Sequence, residues 1–226
     1  MLWSPNTQLL YPFQNTALDY SGNARNGTVN GSGVYATKPN GGRCLYFDGT
    51  GDYVKMPSFG LSGTVIVFAT DVRCKSFTTW QNILGDAAQS VSVGFLAVNR
   101  WANSTDLAFG YANGTAMIYH RATNYFLSPY NDTWLNMIVV CDYAGKNIYY
   151  YRNGILFLGP VAMSGTPAFP TTNRVRYIGS YNSLNTQILT DGYLANVQLW
   201  TLATMPAAAQ MLANANRIML GMHPIW

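Results

Sequence analysis

The stretch Trp134–Gly159, WLNMIVVCDYAGKNIYYYRNGILFLG, leaves few folds open. It holds three apolar runs, Met137–Cys141, Ile148–Tyr151 and Ile155–Leu158, separated by two turn signals. The first separator, Asp142–Lys146, is a loop with its glycine late; the second is Asn153-Gly154. Asn-Gly between two strand-like runs marks a hairpin, because the tight turn needs positive φ at both central residues. The stretch therefore reads as a three-stranded antiparallel meander. Its first strand is nearly continuously apolar, which places it in the middle of a covered sheet.

The remainder repeats this grammar. Leu9–Phe13 is a short strand that Pro12 confines to an edge or a strand end. Leu18–Asn23 is a turn in which Asp19 and Asn23 can bond the local backbone. Residues 25–43 are so rich in Gly and Asn that any strand there is short. Cys44–Met56 reads as a hairpin around Asp48–Gly51, and Thr64–Val72 as a long strand with a covered face. Further strands are expected at 80–85, 91–98, 106–112 and 115–121. After a loop over Pro160–Asn173, Arg174–Gly179 alternates as a half-exposed strand, and Tyr193–Trp200 closes the series. Turns recurring every ~8–12 residues indicate a sandwich of two sheets. Only the end is helical. Thr204 is the expected N-cap, Pro206 lies in the first turn, Ala207–Leu220 is good helix-forming sequence, and Gly221 is the stop. The expected organisation is a sandwich over 1–203 with a helix and tail over 204–226 packed on it or on a neighbour, a single domain overall.

Composition narrows the chemistry. Charged residues make up 10% of the 226, against a usual ~25%, so Asn, Thr, Ser, Gly and Tyr must fill the solvent-facing positions. The net charge of +4 is carried by scattered Arg and Lys, with no basic stripe for nucleic acid. No apolar run approaches the ~18 residues of a membrane helix. The opening MLWSPNTQ shows neither the basic nor the apolar region of a secretion signal. All nine acidic residues are aspartate, which excludes any mechanism built on a glutamate. Cys44, Cys74 and Cys141 lack metal-type spacing; they are three buried thiols, or one disulfide and one thiol.

The succession Tyr11-Pro12-Phe13, Asp19–Asn23, Asn26-Gly27-Thr28, Leu45–Gly49 and Asp52–Val54 resembles the opening of a laminin-G-like, concanavalin A-like jelly roll. The order continues through Trp134, Val139 and Asp142, then Ile148-Tyr149 and Arg152–Gly154. It closes with Tyr177–Gly179 and Gly192–Trp200 before a helix, so the resemblance spans residues 9 to about 212. The resemblance implies an all-β, two-sheet antiparallel jelly-roll sandwich with a concave and a convex face, a short C-terminal α-helix and an apolar tail. No organic cofactor is implied. A structural calcium is the one ion it admits, held by Asp19, Asn23 and the closing-strand Asn196. Asn196 and Ala195 stand where such domains carry acids, so the site would have less charge and weaker affinity. The simpler alternative is that Asp19 and Asp48 only hold turns.

Three functions then compete. Related glucanases need paired carboxylates ~5 Å apart, and this chain has no glutamate and no Asp-x-Asp pair. His120 and His223 adjoin no Ser- or Cys-centred nucleophile motif, so no catalytic residue is assigned. A lectin-type module for cell-surface glycans would use aromatic rings with amide partners; the candidates are Trp80, Trp101, Tyr111, Asn113, Tyr130 and Tyr181, with Tyr125 as a further ring. Alternatively, laminin-G-like chains of tailed-phage virion proteins resemble this one in the helix that trails into a Pro-x-aromatic end. That resemblance implies a non-enzymatic capsid decoration or fibre component on the virion surface, in contact with other virion subunits and with copies of itself, without nucleic acid or membrane. Met222, His223, Pro224, Ile225 and Trp226 would then anchor it to neighbours, since an exposed Ile and Trp at a free end leave an uncovered apolar patch. The tail folded back on its own chain is the competing expectation.

Overall fold

A computed structural model describes residues 6–75, 80–86, 96–101, 104–126, 132–181, 189, 191–220, 222 and 224–225. Its strands are β1 (Thr7–Tyr11), β2 (Thr28–Asn30), β3 (Tyr35–Thr37), β4 (Arg43–Phe47), β5 (Tyr53–Lys55), β6 (Val65–Cys74), β7 (Gln81–Asp86) and β8 (Leu96–Arg100). They continue with β9 (Leu107–Ala112), β10 (Met117–Ala122), β11 (Leu135–Asp142), β12 (Asn147–Arg152), β13 (Ile155–Ala162), β14 (Arg176–Ile178) and β15 (Gly192–Leu202), before helix α1 (Ala208–Met219). Two antiparallel sheets face each other. One runs β13-β12-β11-β6-β15-β4-β3 with β1 also on β15; the other runs β10-β9-β8-β7-β14-β5-β2.

The meander stands as read. β11 lies between β12 and β6, buried along its whole length, and Asn153 and Gly154 turn at φ 50° and 76°. Alternate side chains of both sheets fill the space between them: Ile66, Phe68 and Val139 from one, Val98, Phe109 and Ile178 from the other. The opposite face of the eight-stranded sheet is also apolar. Val67, Ile138, Val140 and Trp200 point outward there and are covered by Met211, Ala215 and Ile218 of α1. That covering explains why β11 shows no polar alternation.

Four expectations change. Cys44–Met56 is not a hairpin: β4 pairs with β3 and β15, whereas β5 pairs with β2 and β14, so the chain crosses between sheets at Asp48–Gly51. Asp52, 2% exposed, sets that crossing by accepting bonds from the Asp48 and Ser32 amides and the Ser32 hydroxyl. β14 is fully buried rather than half-exposed, because it lies between β7 and β5. Its Arg176 gives Nη1 to the Phe59 carbonyl at 2.7 Å and lies 3.9 Å from the Asp86 carboxylate. β13 runs on to Ala162 through Pro160, which its position at the sheet edge permits. The helix starts late: Ala207, not Thr204, is the N-cap, with no side-chain cap bond, while Arg217 does lie in the last turn. Pro206 precedes the cap, and Gly221 lies outside the described residues.

The tail returns to the helix. Asn214, 2% exposed, takes the Ile225 N–H on Oδ1 at 2.8 Å and gives Nδ2 to the Ile225 carbonyl at 2.9 Å. Pro224 is buried, whereas the side chains of Met222 and Ile225 remain 47% and 64% exposed. His223 and Trp226 lie outside the described residues, as does the strand start at 91–95. All three cysteines are free and buried. No helix among the described residues is long and apolar enough to cross a membrane.

Candidate functional site

With α1 over one sheet, the outer face of the seven-stranded sheet remains; it is buried along β7, β8 and β9 and partly exposed along β10. Strand alternation decides what it carries. On β9, Leu107, Phe109 and Tyr111 point into the core, so Ala108, Gly110 and Ala112 lie on the other face, where they are buried as well. On β10 the outward set is Met117, Tyr119 and Arg121. Register aligns Asn82, Asn99, Ala108 and Arg121 in one row across β7 to β10, and Ala97, Gly110 and Tyr119 in the next.

At one end of these rows stands an aromatic cluster. The rings of Trp80 and Trp101 are 4.0 Å apart, and Tyr119 meets them edge-on at 6.2 and 5.5 Å. All three are partly exposed. The Arg121 guanidinium lies 5.2 Å from the Trp101 ring centre and 3.5 Å from the Asp106 carboxylate, which orients it. Asn99 is fully buried in the adjoining row, and both polar atoms of its amide lack a hydrogen-bond partner among the described residues. A buried amide left unpaired costs about 1–3 kcal/mol, so its retention beside exposed indoles is a feature that asks for a partner. Further along, Tyr181 packs on Ala97 and Ala112 and reaches the Met117 thioether at 4.0 Å. Burial first, then a hydrogen bond with Tyr181, pushes the Tyr119 phenol far up; burial raises Tyr181 as well. Both phenols therefore stay neutral and keep their hydroxyl hydrogens.

Of the residues anticipated for a ligand, Trp80 and Trp101 come together; Tyr181 lies on their face but is buried, 4% exposed. Tyr111 does not: it is 0% exposed in the inter-sheet core, and its hydroxyl accepts the Ser164 N–H at 2.7 Å. Tyr125 is likewise core, donating to the Tyr151 carbonyl at 2.6 Å. Asn113 holds the β9–β10 turn, its Oδ1 accepting from the Ala116 amide at 2.9 Å and the Thr115 amide at 3.2 Å. Tyr130 lies outside the described residues. Tyr119, Arg121 and Asn99 were missed. The signal was present in the alternation of MIYHRA and in the lone amide of LAVNR.

The calcium set does not fit. Asp19 accepts from the Leu10 and Ser21 amides on Oδ1, and from the Ser21 hydroxyl and the Arg25 amide on Oδ2. Asn23 turns its Nδ2 to the carbonyls of Thr7 and Gln8. Asn196 engages a different carboxylate, that of Asp71. It is a bulge residue at φ 50°, where β15 changes partner from β4 to β1, and its Nδ2 donates to Asp71 at 2.8 Å. Asn tolerates that left-handed conformation better than most residues, which accounts for it structurally. Among the described residues no three His, Cys, Asp or Glu side chains gather as a metal site.

Comparison with known proteins agrees with this architecture. No curated protein sequence matches the chain. Domain 4 of AbnA, a GH43 extracellular arabinanase from Geobacillus stearothermophilus solved with arabinotriose, superposes with a TM-score of 0.72 at 15% identity, covering 95% of this chain and 98% of that one. The binding domain of botulinum neurotoxin DC, solved with rat synaptotagmin II, gives 0.63 at 14% identity over 96% of this chain. A botulinum neurotoxin type C structure, concerned with cell entry dependent upon two ganglioside molecules, gives 0.67 at 13% over 96%. This chain spans about half of each toxin chain, 51%. These likenesses fix a lectin-like jelly-roll fold. A family model for concanavalin A-like lectins and glucanases matches residues 48–209, most of the chain, and the protein belongs to that superfamily.

Proposed function

We propose that this is a non-catalytic recognition module that binds glycans on the outer face of its seven-stranded sheet. One observation carries the reading: Trp80, Trp101 and Tyr119 cluster, partly exposed, beside the buried and unpaired amide of Asn99. Sugar rings present apolar C–H faces and hydroxyls, the complement of indole faces next to amide groups. The similar structures support it, since one was solved with arabinotriose and another concerns gangliosides. Absence of glutamate removes the paired acids that a glucanase of this superfamily would use. A glycan array followed by calorimetry tests the reading. A hit that weakens in Trp101→Ala and survives in Tyr111→Phe supports it; a hit indifferent to Trp80, Trp101 and Tyr119 sinks it.

A second reading, a virion surface subunit that decorates a capsid or fibre and contacts its neighbours, is supported by exposed apolar side chains on other elements. Ile155, Leu220 and Ile225 are 68%, 67% and 64% exposed on the edge strand, the helix end and the tail. Light scattering at rising concentration tests it, with self-association that Ile155→Lys abolishes as the expected result. A monomer at every concentration, absent from purified particles, would count against it.

A further inference from the structure

We propose that the cavity bounded by Lys38, Asp71, Trp134, Asn136, Asn153 and Met219 is a second binding site, which takes one neutral sugar ring or a comparable cyclic polyol. It lies on the eight-stranded sheet, so it does not depend on the glycan reading of the other face. Helix α1 ends at Met219, and beyond it the outward residues change from Val67, Ala69 and Ile138 to Asp71 and Asn136, paired directly across β6 and β11. The cavity holds about 320 Å3. That is the lower end of the ~300–1,000 Å3 usual for small-molecule sites, enough for one ring.

Charge selects the ligand class. The Asp71 carboxylate accepts from Lys38 Nζ at 2.7 Å, Asn196 Nδ2 at 2.8 Å and Asn136 Nδ2 at 2.8 Å. The Lys38 and Asp71 side chains are 9% and 13% exposed, so the pair is shielded and each cancels the other. An anion would have to take Lys38 from Asp71, and a cation would have to displace three donors. A neutral ligand does neither.

The hydrogen-bonding capacity left over is specific. Among the described residues, Trp134 Nε1 is a buried donor without a partner, and Asn136 Oδ1 is a buried acceptor without one, although Asn136 is only 8% exposed. Trp134 directly precedes β11 and Asn136 is the second residue of that strand; both line the cavity. Asn136 cannot turn its acceptor elsewhere. Its Nδ2 is held by Asp71, its N–H donates to Asn153 Oδ1 at 2.9 Å, and its carbonyl accepts the Asn153 N–H at 2.9 Å. A hydroxyl both donates and accepts, so vicinal hydroxyls satisfy an N–H and a C=O together. The Trp134 ring and the Met219 thioether supply apolar wall for the C–H face of a ring.

The test uses the 15N-labelled 226-residue protein and the indole N–H signals of its six tryptophans. Loss in Trp134→Phe assigns the Trp134 signal while keeping an aromatic ring. Methyl glycosides of a neutral hexose and a neutral pentose are titrated to about 100 mM, with glycerol as the small-polyol control. The expected result is a saturable shift of the Trp134 signal with at least one glycoside. Ligand-detected binding should fall about tenfold in Trp134→Phe and persist in Trp101→Ala. A Trp134 signal that stays still, or moves as much with glycerol as with either glycoside, overturns the proposal. Movement of the Trp80 and Trp101 signals alone also overturns it, while leaving the other face as a glycan site.

Discussion

Gly179, the last residue of the Tyr-Ile-Gly run at the end of β14, is expected to be among the least replaceable in the chain. Its φ is +79°, and its backbone is fixed on both sides: its N–H donates to the Ile83 carbonyl at 3.1 Å and its carbonyl accepts the Leu189 N–H at 2.8 Å. A methyl group there would meet the ring of Phe47, with Cδ1 and Cε1 inside contact distance and Cζ at 3.0 Å. Phe47 is 0% exposed and belongs to the opposite sheet, so its ring has no space to retreat into. An L-residue in the left-handed region costs roughly 1–2 kcal/mol. Overpacking a filled core costs about 1–3 kcal/mol more, and the stiffer unfolded chain returns about 0.4–1 kcal/mol. Gly179→Ala should therefore destabilise by about 3 kcal/mol, lowering Tm by about 6–12 °C in a domain of this size. Gly41→Ala is the control, because Gly41 has φ +85° with nothing within 4 Å of the added methyl; it should lose only the backbone part, about 1 kcal/mol. Urea unfolding of Gly179→Ala, Phe47→Leu and the double variant isolates the clash. The smaller leucine side chain should relieve it, so the double variant should be more stable than the sum of the singles by about 1–3 kcal/mol. Strict additivity, or a Gly179→Ala variant no less stable than Gly41→Ala, would refute the reasoning.

The two faces of β9 and β10 should separate function from stability. Trp101→Ala is expected to weaken a bound glycan by about 2 kcal/mol, roughly thirtyfold, in calorimetry. Tyr111→Phe should cost about 1 kcal/mol of stability and nothing in binding. Burial pushes the Cys74 thiol up to about 12 from 9.0, and raises Cys141 and Cys44. The unfolded chain therefore releases thiol protons above pH 9 while the folded chain keeps them. The resulting stability is complete below pH 9 and is lost as pH rises toward 12, by about 1.4 kcal/mol per pH unit from Cys74 alone, which denaturant midpoints across that range would report. At pH 8 a thiol reagent should find no reactive cysteine until denaturant is added, and then all three. Asn214→Ala should release the end of the chain to carboxypeptidase while the sandwich keeps its unfolding midpoint within about 1–2 kcal/mol.

Much of the fold was legible because it is written in short-range chemistry. The Asn153-Gly154 turn, the apolar run of β11 and the turn-punctuated strand spacing specify strands and their antiparallel neighbours almost independently of context. The run of Ala, Leu and Met before Gly221 likewise specified a helix, though its cap fell three residues beyond Thr204. What could not be read was which sheet a strand joins. Cys44–Met56 has the pattern of a hairpin, and only the burial of Asp52 beneath Ser32 sends β4 and β5 to different sheets. The same limit governed the sites. Tyr111 and Trp101 are equally plausible as ligand platforms in one dimension, and a strand shows its faces only once its register is set. Asn196 matched a metal position until the bulge in β15 turned its amide to Asp71. Local residues determine turns, strands and the helix, because their dihedral preferences act over a few positions. Tertiary structure alone decided which face each side chain occupies and which polar atoms go unpaired, because those depend on partners distant in sequence.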